Sequence, residues 1–243
     1  MYRARKNSVI IGRGLVAKAF AGKWPQDGAT VIVAAGVSNS DEREQAAFDR
    51  EKRLLDEVFT YPQARRVVYF GSCAVGNPDE PRTPYLRHKT WMESRVLADE
   101  RGRVFRLPQV VGEGGNPHTL TNFLSQRIQS GEHFEVWVRS ERNLIDVEDV
   151  VTLVTHVLCH PEQFPRMMPL ADAQSTRMPD IVHCMERALA KRGNYSILER
   201  GAAFPIDTTD CLRAARACGI HFGPGYLEQL VEKYYGVAKR VRI

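Results

Sequence analysis

The chain has 243 residues, 43% of them hydrophobic and 26% charged, with a net charge of +5 and a pI of about 9.0. This is the composition of a folded globular protein, long enough for one large domain or for a core with a smaller lobe. The five cysteines (Cys73, Cys159, Cys184, Cys211, Cys218) contain no Cys-x-x-Cys pair, which argues against a disulfide scaffold and against zinc. No leader pattern or bilayer-length apolar run is present, so the sequence reads as a cytoplasmic protein with reduced thiols and no membrane partner.

The first predicted element is a strand at residues 8–12. Gly12-Arg13-Gly14-Leu15-Val16-Ala17 follows, then a helical pattern to about Ala21. In a strand, glycine turn and helix, backbone N–H groups at the turn can meet a pyrophosphate; the other reading is a tight turn without a ligand. Residues 30–35 (Thr-Val-Ile-Val-Ala-Ala) form a second buried strand ending in Gly36. Residues 41–60 form a long charged helix with Ala47, Leu54, Leu55 and Val58 on its apolar side. A third strand, 66–70, runs into Gly71-Ser72-Cys73-Ala74. A loop with Pro78, Pro81 and Pro84 then leads into a helix reaching about Arg101, and 103–107 is a fourth strand.

Strands alternating with helices predict a parallel α/β sheet, with ligands at the carboxyl ends of the strands. Gly12, Gly36, Ser72 and Gln109 lie at such ends. From Gly112 the texture changes. A loop at 112–117 precedes a helix at 119–130 and a strand at 133–138. Residues 142–149 then open a helix at 147–160, and helices follow at 178–192, 207–218 and 224–235. The expected fold is α/β: a Rossmann-like parallel sheet of reduced strand number with a small, mostly helical C-terminal lobe. Residues 1–112 plus 142–170 make the cofactor domain, and 113–141 plus 171–243 the substrate-binding lobe.

Tyr85 and Lys89 are four residues apart, one turn from each other on one helix face. A phenol ionises near ~10. A nearby ammonium favours the phenolate and lowers that value, so that a tyrosine can exchange a proton with a sugar hydroxyl or ketone. Ser72 and His88 could suggest a hydrolase, but there is no Gly-x-Ser-x-Gly elbow. His156 and His160 lack a third ligand, so no metal is expected. Trp24, Trp91 and Trp137 read as core or rim packing. Arg3, Arg5, Lys6, Lys239, Arg240 and Arg242 read as solvated tails. No stripe of Arg and Lys with aromatics points to nucleic acid; the mild positive field suits an anionic small ligand such as a nucleotide diphosphate.

The glycine turn, the Val-Ile-Val-Ala-Ala-Gly strand end, Phe70-Gly71-Ser72-Cys73-Ala74-Val75-Gly76, Pro84-Tyr85 with Lys89 and Glu93, Arg106-Leu107-Pro108-Gln109-Val110-Val111-Gly112 and the 142–149 segment occur in one order. In this the chain resembles the extended short-chain dehydrogenase/reductase family of sugar-nucleotide epimerases, dehydratases and ketoreductases. The resemblance implies an NAD(P)-dependent enzyme of polysaccharide or glycoside biosynthesis that reduces or epimerises a nucleotide-activated sugar. It implies Tyr85 as proton donor or acceptor, with Lys89 tuning it and holding the nicotinamide ribose, and Ser72 or Cys73 bonding the sugar oxygen. Gly12, Arg13, Gly14, Leu15 and Val16 would line the cofactor site together with Ala35, Gly36, Lys89 and Pro108. Gln109, Asn122 and Arg142 would face the substrate, Arg142 gripping its diphosphate. Asp146 and Asp149 would cap and orient the helix that follows. A homodimer through the 41–60 and Tyr85 helices is also implied.

The chain departs from the family pattern in three places. Its glycine turn is one residue short, with Ala17 in place of the last glycine. Only 15 residues separate Gly14 from Thr30, where the family has two more strands and the residue that reads the adenosine ribose. Cys73 can also occupy the family's Ser/Thr position. These departures leave a second reading, a non-catalytic member that binds a nucleotide sugar or a partner without the dinucleotide.

Overall fold

The computed structural model describes residues 9–21, 23, 29–77, 82–114, 116–117, 119–203 and 205–237. Trp24, residues 25–28, Pro78, Pro81 and the basic residues of both tails lie outside them. The first half of the chain alternates as the residue pattern predicts. Val9–Ile11 (β1) and Leu15–Ala21 (α1) are followed by Thr30–Val33 (β2), Gln45–Phe59 (α2), Arg66–Ser72 (β3), Pro84–Leu97 (α3) and Gly102–Leu107 (β4). Then come Gln109–Val111 (β5), Leu120–Ser130 (α4), Phe134–Trp137 (β6), Glu141–Arg142 (β7), Leu144–Asp146 (β8) and Val147–Cys159 (α5). Met167–Pro169 (β9), Thr176–Arg177 (β10), Met178–Leu189 (α6), Tyr195–Leu198 (β11), Thr209–Cys218 (α7) and Tyr226–Tyr235 (α8) complete the order.

Five parallel strands form the main sheet in the order β1-β2-β3-β4-β9. Their side chains alternate between two buried faces, which is why the strands read as continuous apolar runs. Ile32, Val68, Phe70 and Phe105 pack under α1, α5 and α7, whereas Val31, Val33, Val67, Tyr69 and Val104 pack under α2 and α3. Among the described residues β1 is the outer strand. Among those residues β1 pairs with β2 alone.

Two helices are shorter than their patterns suggest. The Asn39 side chain accepts from Asp41 N and the Glu42 carboxylate from Glu44 N, local bonds that hold this stretch in turns until Gln45. At the end of α3 the chain folds back at Asp99. The Arg101 guanidinium binds the Asp99 carboxylate and the carbonyls of Phe59, Tyr61 and Ala64.

The lobe has its own core, in which Leu124 and Ile128 of α4, Phe134 and Val136 of β6, Ile181 and Met185 of α6, and Leu230 and Val231 of α8 meet. Helix α7 falls within the boundaries expected for this lobe, but Cys211, Ala214 and Ala215 pack into the core beneath the main sheet, beside α5. The chain leaves the main sheet after β4 and returns to it at β9; between them β5 and β8 pair in parallel as a separate two-stranded ribbon, Gln109 opposite Leu144. This pairing brings the 142–146 segment alongside the end of β4.

Candidate active site

Helix α3 starts where its sequence dictates. The Thr83 side chain accepts from Leu86 N, and Pro84 occupies the first turn, where its missing N–H costs nothing. This fixes Tyr85 and Lys89 on the buried face, 8% and 3% exposed. Strand β3 ends at Ser72, whose Oγ accepts from Ala74 N in the next turn and which lies close enough to Tyr85 to oppose the upward push of burial on its phenol. Tyr85, Lys89 and Ser72 open onto a crevice of about 1600 Å³ above the carboxyl ends of the strands. The glycine turn Gly12–Val16, Ala35, Gly36, Pro108, Gln109, Asn122 and Arg142 line the same crevice.

Cys73 is the one expected site residue that does not line it. Its thiol is buried and lies 3.4 Å from the Arg106 carbonyl oxygen, and burial pushes it up to about 12. Asn122 borders the crevice, but its amide N–H groups hold the carbonyls of Gly114 and Asn116. Arg142 donates to the carbonyl of Glu141. Asp146 caps α5 by accepting from Glu148 N, and the Asp149 carboxylate accepts the Tyr226 hydroxyl.

Several residues of the site are not visible from local sequence. Glu51 of α2 is buried beneath Lys89. One of its oxygens accepts from Lys89 Nζ at 3.1 Å and from the Tyr69 hydroxyl at 2.8 Å. The other accepts from Val37 N at 2.8 Å and faces His88 Nε2 at 2.9 Å. Lys89 Nζ also donates to the Tyr69 hydroxyl at 2.8 Å, which leaves one ammonium hydrogen for the crevice. Gly36 makes room for this cluster, since a Cβ there would sit 2.7 Å from both Glu51 Oε1 and Lys89 Nζ. Deeper still, Glu93 takes a forked contact from Arg106. Tyr235, on the last helix, lines the far wall with its hydroxyl 2.8 Å from Thr121 Oγ1 and 2.7 Å from Asn122 Oδ1.

The electrostatics correct one expectation. The Tyr85 pKa stands above the ordinary phenol value rather than below it. Burial pushes the phenol up to about 12, against the opposing pull of Ser72, and the charges of Glu51 and Glu93 act in the same direction as burial. Burial lowers the Lys89 pKa while Glu51 pulls it back up. Burial would raise Glu51 itself, but the bonds and charges of His88, Lys89, Val37 and Tyr69 hold it at about 2.

Residues 12–168 match the NAD-dependent epimerase/dehydratase family. The chain belongs to that family. Membership in the NAD-dependent epimerase/dehydratase family makes it an NAD(P)-dependent enzyme, and the residues fit such a cofactor. A Cβ on Gly14 would meet nothing within 4 Å, so the backbone ahead of α1 faces open space. At Gly12, with φ of 141°, only glycine fits against the Ala34 carbonyl. Solved structures show the same fold. A UDP-N-acetylglucosamine 4-epimerase from Methanobrevibacter ruminantium M1 is 12% identical, with 96% of this chain and 98% of that one covered and a TM-score of 0.71. RMD from Pseudomonas aeruginosa, complexed with NADPH, is 15% identical over 93% and 96%, with a TM-score of 0.72. A dTDP-glucose 4,6-dehydratase from Bacillus anthracis, in complex with NAD, is 14% identical over 94% and 77%, with a TM-score of 0.67. A search of curated protein sequences found no match. Among the described residues no helix is long and apolar enough to cross a membrane.

Proposed function

We propose that the protein is an NAD(P)-dependent reductase or epimerase of a nucleotide-activated sugar. The observation that carries this reading is that Tyr85, Ser72 and Lys89 share one crevice with the glycine turn. Gly12, Arg13, Gly14, Leu15 and Val16 would hold the dinucleotide diphosphate, with Ala35, Gly36 and Pro108 lining its path and the free Lys89 N–H on the nicotinamide ribose. The bound dinucleotide supplies hydride chemistry at the sugar carbon. Tyr85 would move the proton at the sugar oxygen, and Ser72 would bond that oxygen. Gln109, Asn122 and Tyr235 would shape the sugar pocket, and Arg142 would grip the nucleotide diphosphate through its planar fork. The sheet unit, 1–112 plus 142–170 with α7 packed beneath it, would carry the cofactor, and 113–141 plus the rest of 171–243 the sugar nucleotide. The epimerase, the dehydratase and the NADPH-bound RMD that share this fold support the substrate class and the cofactor.

The test mixes the purified protein with NADH or NADPH and a panel of keto-sugar nucleotides. Falling nicotinamide absorbance that Tyr85→Phe abolishes supports the reading. Unchanged absorbance throughout, with the variant indistinguishable, refutes it.

A homodimer is part of the same proposal. Trp91 of α3 is 42% exposed beneath the Lys52 ammonium of α2, 5.0 Å from the ring centre, on the helices expected to pair across a two-fold axis. Light scattering should give twice the chain mass, and Trp91→Glu should give a monomer.

A further inference from the structure

Burying a carboxylate is costly unless donors surround it. Glu51 has four: Val37 N, the Tyr69 hydroxyl, His88 Nε2 and Lys89 Nζ. Nothing in the proposed chemistry so far uses it. It nevertheless touches the lysine that the reaction depends on, through a gap that only a glycine at position 36 leaves open. We infer that Glu51 is a positioning residue that holds Lys89 as a neutralised pair, so that Tyr85 works as a proton donor and the site is built to reduce a keto-sugar nucleotide rather than to begin by oxidising a hydroxyl. This rests on the sugar-nucleotide reading above and narrows it.

The geometry supplies the argument. The Glu51 oxygen lies 3.1 Å from Lys89 Nζ, while the centre of the Tyr85 ring lies 5.9 Å from it. A negative charge that close to the ammonium cancels most of the field reaching the more distant phenol. Glu93 and Cys73 also favour the protonated phenol. From α3, Glu93 is bound by Arg106 of β4, so that cation is also compensated. From β3 and the turn after it come the Tyr69 phenol, Ser72 and the buried Cys73 thiol. His88 faces the Glu51 carboxylate through Nε2 and stacks on Phe48, 4.6 Å between ring centres. A phenol in this setting keeps its proton until a stronger base forms beside it. Reduction makes that base. A bound NAD(P)H would supply hydride to the carbonyl carbon and become NAD(P)+, a C–H bond forming as the π pair passes to the oxygen to give an alkoxide. The alkoxide takes the Tyr85 proton, and the phenolate is reprotonated from solvent. An epimerase instead needs the phenolate first, to remove the hydroxyl proton while hydride leaves.

The direct test needs neither cofactor nor sugar. Ultraviolet phenolate absorbance is titrated in the wild type and in Tyr85→Phe, and their difference isolates Tyr85. No ionisation of Tyr85 is expected roughly between pH 6 and pH 9; a transition in that range overturns the inference. In Glu51→Gln, which keeps the shape and loses the charge, the Tyr85 transition should fall by about one unit or more. An unmoved transition in folded Glu51→Gln also overturns it. The wild-type titration decides the matter if that variant does not fold. For the direction of reaction, turnover of a keto-sugar nucleotide with NADPH or NADH should exceed epimerisation of UDP-hexoses with NAD by about a hundredfold; equal rates overturn it. Loss of all dinucleotide and sugar-nucleotide binding would instead strike the function proposed above and leave the titration result standing.

Discussion

At the Tyr85 end of the crevice the side chains are buried and bonded to one another; at the Arg13 end they are exposed. Glu51, Tyr69, His88 and Lys89 form one connected cluster there, whereas Arg13, Lys18, Arg50 and Arg53 line the other end without an ion pair among the described residues. Chemistry needs groups fixed before substrate arrives, and burial with full hydrogen bonding fixes them. Holding an anionic cofactor needs positive field more than fixed geometry, and exposed arginines supply it. The contrast suggests how the fold tolerates the short segment between Gly14 and Thr30. With β1 at the sheet's edge, α2 becomes a wall of the crevice and brings Arg50 and Arg53 to it.

Substitutions at the two ends should therefore behave differently. The largest effect is expected from Tyr85→Phe, a loss of about 10²–10⁴ in turnover with dinucleotide binding kept, measured by nicotinamide absorbance and calorimetry. Ser72→Ala should cost about tenfold or more, because Ser72 lines the crevice beside Tyr85, and Cys73→Ala clearly less, because the thiol faces the Arg106 carbonyl. Gly36→Ala should destabilise the fold by about 1–3 kcal/mol in denaturant titration, its Cβ pressing on Glu51 and Lys89. Gly14→Ala, with open space around it, should leave stability within about 0.5 kcal/mol while weakening dinucleotide binding. Arg50→Glu with Arg53→Glu should lower dinucleotide affinity by about tenfold at low salt, with the gap closing as salt is added. A further effect appears in acid. Glu51 is held at about 2 against an ordinary 4.5, so its contribution is complete above 4.5 and lost as pH falls towards 2. Denaturation midpoints across that range should fall in the wild type and fall less in Glu51→Gln.

The parts legible in the sequence are those written in consecutive residues. Val67 to Phe70 announce a strand buried on both faces, and the Tyr85–Lys89 spacing sets one helix face. Glu51 stands 38 residues from Lys89, and Tyr235 stands 113 from Asn122, so neither contact has a local signature. One signal for Glu51 was available. It sits between Phe48 and Leu55 in the stripe 48, 51, 55, 58 that α2 buries, and a carboxylate inside an apolar stripe needs a partner. The short strands β9 and β11 carry too few residues to show a period.

Tyr235 lies on the last described helix, yet its hydroxyl closes the wall beside Thr121 and Asn122. During synthesis the glycine turn, Ser72, Tyr85 and Lys89 all emerge long before it. A half-made chain could therefore shape a seat for the dinucleotide but not yet for the sugar, and the pocket is finished only when the ribosome has delivered α8.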